Sequence, residues 1–474
     1  MTTFVRLLVI SFVFAFAKAG LAQVEPSDQL EVMTFEEYLA YVKTHHPLVK
    51  QANLTLSVGE ASLLRARGGF DPKVEVDYDR KKFKSTEYFD QLNATFKVPT
   101  WYGVEFKANF EENTGAFLNP DLTVPDGGLY SAGVSFSLAQ GFLINDRMAD
   151  LKKARFFLDQ TQADRDLLVN NLLFEASAAY FEWLEATNEL RIFEQFLENA
   201  QIRLDAVTRS VAEGDKAAID ITEARIAVQN RALSLEAAQL KQRKSALQVS
   251  NFLWLNTIPM ELQPDVIPVR PTLDVLEASL LLIGADAMDE LLVNHPKLRS
   301  LDAKIDGLTV DRALKRNKLL PKLDLQYNFL TPDGDRLNTL NTANYKAFVN
   351  FSFPLFLRKE RGDLRLANVK LESTNFERTN AALTIQNKFN AIQTELVSLD
   401  KQNVLIDAIV TDYTTLVQAE ERKFFIGESS LFLINSREQK LIDARLKANL
   451  LQIKRLLASA KLYNALGIAD PVTD

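Results

Sequence analysis

Cysteine is absent from all 474 residues. That removes disulfides, thiolate metal sites, cysteine nucleophiles and a lipid anchor on an N-terminal cysteine, so packing alone must hold the fold. Histidine is nearly absent too. His45, His46 and His295 are the only three, and without acidic partners at helical spacing they read as structural residues, with no metal site expected. A basic excess is also missing. Fifty-five Lys and Arg stand against 62 Asp and Glu, a net charge of −7, which argues against nucleic acid as the main partner. No phosphate loop, nucleophile elbow or histidine-containing catalytic arrangement is present, so neither enzyme activity nor a cofactor is expected.

Long apolar runs are missing as well, with one exception. Arg6 leads into Leu7–Ala17, and small residues precede a plausible cut after Ala22. This pattern predicts a secretory signal peptide over residues 1–22. Its core is too short for the roughly 20 residues that an α-helix needs to cross a bilayer. With Arg6 and Lys18 removed, the charge goes from −7 to −9. No later segment qualifies as a membrane helix, yet an exported chain can still cross a membrane as β-strands.

Glycine and proline are unevenly spread. Neither occurs from Phe142 to Glu213 or from Asp363 to Ile426. At 1.5 Å per residue, a helix of that length reaches about 100 Å and is stable only against neighbours along its length. Leu172, Ala176, Ala179, Trp183, Ala186, Leu190, Phe193 and Leu197 recur at three- and four-residue steps, a seam suited to coiled-coil packing. The runs end at Gly214 and Gly427, and shorter ones follow over Asp215–Ile258 and Glu428–Leu466. These shorter runs are expected to return antiparallel, making each glycine a tip.

The sequence also matches itself at an offset of 249 residues. "HHPLV" at His45 echoes "NHPKL" at Asn294, and the same offset places Arg67 on Arg316, Pro72 and Lys73 on Pro321 and Lys322, and Tyr78 on Tyr327. Such periodicity predicts two copies of one unit. The first spans 34–258, with strands about 72–139, a long helix about 142–213 and a return helix about 215–258. The second spans 284–467, with strands about 321–354, a long helix about 363–426 and a return helix about 428–466. A Pro-rich linker over 259–283 separates them. Thr34 and Glu37 have the spacing of a capping box at the first entry.

After Pro72 and Pro321 the apolar period changes to two. Val74, Val76 and Tyr78; Leu92, Ala94, Phe96 and Val98; Val104, Phe106, Ala108 and Phe110; and Tyr130, Ala132, Val134, Phe136 and Leu138 alternate with polar residues in the first copy. Leu323, Leu325, Tyr327 and Phe329, then Tyr345, Ala347, Val349, Phe351 and Phe353, do so in the second. Alternating segments of about ten residues fit a transmembrane β-barrel, although a soluble sandwich reads similarly. Six strands are too few for a closed barrel, and an open edge cannot face lipid, so a membrane location requires several chains to pool their strands.

The entry "MTFEEYLAYVKTHHP", the proline before the first strand in each copy, and the tips "EGDKAAID" and "IGESSLFL" followed by helix together resemble the outer-membrane efflux proteins typified by TolC. The resemblance covers essentially the whole chain after the signal. It implies a mainly α fold with membrane β: a very long α-helical coiled-coil barrel plus transmembrane strands, in a homotrimer of the Gram-negative outer membrane with a periplasmic extension. It also implies a periplasmic adaptor and an inner-membrane pump as partners, in tripartite efflux or type I secretion. Small molecules or proteins would be conducted without chemical change. Adaptor contact would fall on Gly214, Asp215, Lys216, Gly427, Glu428 and Ser429. Acidic residues six and nine positions past the tip glycine would help gate the inner mouth; here these are Asp220 and Glu223 in the first copy but Leu433 and Ser436 in the second.

Bland readings stand beside these. The tip glycines also serve as ordinary helix ends, and Asp220 and Glu223 as a solvated helix face. Trp101 and Tyr102 mark a membrane interface or pack within a loop. An additional hairpin in the first copy, roughly Glu87 to Asn113 around "VPTWYG", departs from the family pattern of two strands per copy, leaving a trimeric barrel of twelve strands with an extracellular hairpin, or one of eighteen. The rival to a channel is a secreted trimeric coiled-coil adhesin or spacer with a soluble β head, which would bury the apolar strand face against itself.

Overall fold

The computed structural model describes residues 31–282 and 288–468; the expected signal peptide and the last residue of the expected linker lie outside them. In chain order the elements are β1 (Val32–Met33), α1 (Phe35–His45), α2 (Pro47–Arg67), β2 (Lys73–Phe83), β3 (Thr86–Pro99), β4 (Val104–Thr114) and β5 (Leu129–Ala139). Then come α3 (Asp146–Ala212), α4 (Ala218–Ser250), β6 (Trp254–Leu255), β7 (Ile258–Pro259), β8 (Ile267–Pro268), α5 (Leu273–Ser279) and α6 (Met288–Val293). The chain closes with α7 (Pro296–Asn317), β9 (Lys322–Thr331), β10 (Tyr345–Ser352), α8 (Arg358–Phe425) and α9 (Leu431–Leu466). No helix among the described residues is long and apolar enough to cross a membrane.

The helices start and stop where local chemistry dictates. The Thr34 hydroxyl accepts from the Glu37 N–H at 3.2 Å at the start of α1, half of a capping box. Two His-Pro steps restart the chain in the same way. His46 Nδ1 accepts from the Leu48 N–H at 3.2 Å and His295 Nδ1 from the Lys297 N–H at 3.0 Å, each capping a helix with proline in its first turn. The histidines are therefore helix caps, buried at 6% and 5% exposure.

The chain divides into two compact units. One comprises residues 42–178, 277–404 and 454–468 and holds the main sheet, a six-stranded antiparallel array in the order β10-β9-β5-β4-β3-β2. The β5–β9 pairing, with Val134 opposite Tyr327 and Phe136 opposite Leu325, joins N-terminal to C-terminal strands. In its helical part α2 lies close to α3: a Cβ on Gly59 would collide with Thr161 Oγ1. Asn170, buried on α3, donates to the Tyr463 and Ile468 carbonyls at 3.3 and 3.0 Å and so anchors the end of α9.

The other unit comprises residues 31–41, 179–276 and 405–453. Its core near α1 is aromatic: Phe35 stacks on Phe181 with ring centroids 5.1 Å apart, beside the fully buried Tyr38, Tyr180 and Trp183. The Tyr180 hydroxyl lies 2.8 Å from the Met33 carbonyl and 2.7 Å from that of Val269, clasping the parallel β1–β8 pair. Parts of α3, α4, α8 and α9 pack together through Phe193, Phe196, Ala238, Val417, Leu441 and Ile442. A second cluster, nearer the helix turns, contains Val207, Ala224, Phe424, Leu431 and Ile434.

Candidate functional site: a two-faced sheet and two helix tips

Cross-strand partners in an antiparallel sheet share a face, so the register assigns every strand residue to one side. Across the six strands Val76, Ala94, Phe110 and Tyr130 form one row of partners; Val74, Phe96, Ala108, Ala132, Phe329 and Tyr345 form the next. Val98, Phe106, Val134, Tyr327 and Ala347 continue it, as do Val104, Phe136, Leu325 and Val349. These rows are apolar except where Thr331 faces Tyr130, and farther from the helical end the same face carries Glu112, Arg80 and Asp90. The opposite one carries Glu75, Thr95, Asn109, Ser131, Lys107, Ser135, Gln326, Asp324 and Asn350.

The apolar face is open. Val74 is 72% exposed, Phe106 51% and Val349 68%, the reverse of what a head domain with its own core would show. The polar face is cross-linked by charge and hydrogen bonds: Lys97 pairs with Glu75, the Ser137 hydroxyl donates to Asp324 at 2.8 Å, and Lys107 donates to Gln326 at 3.4 Å.

The two ends of the sheet differ. At one end α2 leads into β2, β5 leads out to α3, α7 leads into β9 and β10 leads out to α8. The turn between β3 and β4 also lies at this helical end, because Pro99 pairs with Glu105 while Lys97 pairs with Lys73 at the start of β2. It is tied there: Asn145 Nδ2 donates to the Trp101 carbonyl at 3.0 Å, and Arg147 on the first turn of α3 pairs with Glu105. Trp101 is half-buried and stacks on Phe70 at 5.6 Å, whereas Tyr102 is exposed.

The two helix tips have one geometry. Gly214 and Gly427 adopt φ of 85° and 80°, a left-handed conformation that favours glycine. Asp215 N–H bonds the Ser210 carbonyl at 2.9 Å and Gly214 N–H that of Val211 at 3.1 Å; Glu428 and Gly427 repeat this with Lys423 and Phe424 at 2.8 and 3.2 Å. Both are Schellman closures. A Cβ at either glycine would meet nothing within 4 Å, so the surface there is open.

The tips meet within one unit: Lys216 places its ammonium 3.7 Å from the centre of the Phe424 ring. Ser429 donates to the buried Glu420, which also pairs with Arg437 at 2.9 Å. Asp220 lies in the first turn of α4, where a carboxylate complements the helix dipole. Glu223, one turn on, accepts from Asn435 at 3.3 Å. Trp101 and Tyr102 belong to the other unit.

Behind the tips lies a buried charge cluster that the sequence did not single out. Glu438, at 1% exposure, pairs with Arg203 at 2.9 Å and Arg231 at 3.5 Å, and Arg203 also reaches Glu421 at 3.2 Å. Its members come from four helices, so no local spacing betrays them. Among the described residues no group of three His, Cys, Asp or Glu could hold a metal ion.

The family model for outer membrane efflux proteins matches residues 42–253 and 287–468. The chain belongs to the outer membrane efflux protein family. It is 25% identical over 431 residues to the pyoverdine export outer membrane protein OpmQ of Pseudomonas putida, spanning 88% of this chain and 81% of that one. Its fold is similar to those of the Campylobacter jejuni CmeC outer membrane channel, with a TM-score of 0.65 at 13% identity over 91% of this chain and 85% of that one, and of the outer-membrane channel OprN, with 0.67 at 15% over 91% and 89%. The protein is an outer-membrane efflux channel, a transport protein of mainly helical fold with a β-sheet part.

Proposed function

We propose that three copies assemble with the apolar sheet faces against lipid and the polar faces around a water-filled lumen, conducting small molecules or proteins outward from a periplasmic adaptor and inner-membrane pump. The observation that carries this reading is the six-strand register, which puts every apolar row on one exposed side and Glu75, Lys97, Lys107, Asp324 and Gln326 on the other. A hydrocarbon-facing band with a polar interior is what a spanning barrel requires. A small-molecule cargo is favoured because the relative OpmQ is named for pyoverdine export.

In this reading two copies of one unit, 34–258 and 284–467, were joined through 259–283. The matched His-Pro caps and matched Schellman tips support that duplication. The adaptor meets Gly214, Asp215 and Lys216 at one tip and Gly427, Glu428 and Ser429 at the other. The open surface over both glycines supports it, and the acidic residues beside them would make the pairing partly electrostatic. Asp220 and Glu223 would form acidic rings at the inner mouth.

A photo-cross-linker at Asp215 and Glu428 in cells expressing the cognate pump system should capture the adaptor, and one on the exposed face of α4 at Leu233 should not. Capture from Leu233 alone would move the docking site off the tips. Asp220→Ala should weaken cation blockade of the open pore; unchanged blockade and conductance would remove the acidic gate.

A further inference from the structure

We propose that all six strands of each chain span the membrane, and that edge strand β2 pairs antiparallel with edge strand β10 of a neighbouring copy, closing a barrel of three times six, eighteen strands. The inference rests on the trimeric reading above and deepens it. Four observations carry it.

The β3–β4 pair cannot be an extracellular hairpin laid over a smaller barrel, because its turn lies at the helical end of the sheet. Asn145 holds the Trp101 carbonyl there, and Arg147 holds Glu105. To connect β2 to that turn and return, both strands must traverse the full height of the sheet. Both also sit inside the ladder: β3 pairs over its length with β2 and β4, and β4 with β5.

The apolar face crosses β3 and β4 from Val104 to Phe110, beyond which Glu112 stands opposite Leu92. Leu92, Ala94, Phe96 and Val98 on β3, and Val104, Phe106, Ala108 and Phe110 on β4, share the side of Val134 and Tyr327. On β5 this stripe runs from Tyr130 to Leu138, about 25 Å along the strand. Nothing in the pattern sets the additional hairpin apart from its neighbours.

The two edges fit each other. Every residue of β2 and of β10 is exposed, the expected state of strands awaiting a partner. With six strands alternating in direction, β2 and β10 run oppositely, so the junction between copies is antiparallel like every other pairing in the sheet. An odd number of strands per chain would have broken that rule.

The edge register also matches. Aligning the helical ends, Lys73 against Ser352, sets Val74 opposite Phe351, Val76 opposite Val349 and Tyr78 opposite Ala347, apolar against apolar. On the other face it sets Asp79 opposite Lys346 and Glu75 opposite Asn350, with Asp77 opposite Phe348 the one mixed pair there. A slip of two residues preserves the faces; a slip of one inverts them. Barrel diameter grows roughly linearly with strand number, so this lumen is about 1.5 times as wide as that of a twelve-stranded barrel.

The absence of cysteine gives a clean background for testing. Facing strand residues lie within disulfide range. In the full-length protein in outer membranes, Val349→Cys combined in turn with Val74→Cys, Val76→Cys or Tyr78→Cys should give an oxidation-dependent ladder ending at the trimer for at least one pair. Val76→Cys with Asn350→Cys, on opposite faces, should give none. In the same membranes Ala108→Cys with Ala132→Cys should close within one chain, whereas Val76→Cys with Ala132→Cys, neighbours only if β3 and β4 lie outside the wall, should not. Phe106→Trp fluorescence should be quenched by brominated acyl chains as strongly as Val134→Trp. A trimer ladder with unquenched Phe106→Trp, or with the Val76–Ala132 bond, overturns the eighteen-stranded wall and leaves the trimer standing. A ladder ending at another number, or none from any pair, overturns the trimer and the inference with it.

Discussion

His295 shows how a residue that resembles a functional group can be structural, and what it then controls. Its Nδ1 is committed to the Lys297 N–H, and burial, with Lys388 nearby, pushes its pKa down to about 4. An unfolded chain takes up this proton near pH 6.5. The folded state therefore enjoys the full contribution above about pH 6.5 and loses it as pH falls toward 4. His295→Asn, which keeps a capping acceptor, should flatten the fall in thermal stability across that window, measured as Tm against pH in detergent; an unchanged slope would assign the pH sensitivity elsewhere. Glu438 is also structural, a carboxylate that holds two arginines in a buried cluster. Glu438→Ala strands those charges and should cost about 3 to 5 kcal/mol, read from denaturant unfolding. A loss below about 1 kcal/mol would mean that water already reaches the cluster. The structural role of His295 was legible in the sequence, but the cluster was not, because Arg203, Arg231, Glu421 and Glu438 are brought together only by helix packing.

At the scale of elements, legibility followed periodicity. Alternation exposed the strands because one face is mostly apolar and the other mostly polar, as in Val134 beside Ser135. The β2–β3 turn carried no signal of its own: it places Lys84 and Ser85 at φ of 49° and 62°, a conformation usually advertised by Asn-Gly or Asp-Gly. Strand order was equally hidden, since nothing local says that β5 pairs with β9 almost 200 residues on. The two faces make a paired prediction. Val134→Arg puts a charge on the apolar face and, in the proposed barrel, should destabilise the fold by about 2 to 4 kcal/mol near mid-membrane. Ser135→Arg should fold normally and shift ion selectivity toward anions. Folding yield in lipid vesicles and reversal potential in a salt gradient separate the two; equal tolerance at both positions would mean that the faces are not distinguished by lipid.

For the whole molecule, the sequence suggested a protein carried out of the cytoplasm, long helices and an open sheet needing partners. The family match and the exposed apolar face now place it among outer-membrane efflux channels and against a soluble head on a spacer. Substrate identity left no trace, because a polar sheet face of mixed charge such as Glu75, Lys97, Lys107 and Asp324 specifies water and ions more than any one cargo. The most direct measurement is single-channel recording of the purified protein in a planar bilayer. The account predicts discrete, long-lived conducting steps from a species that needs detergent to stay dispersed. A protein that remains soluble without detergent and yields no conductance would contradict it.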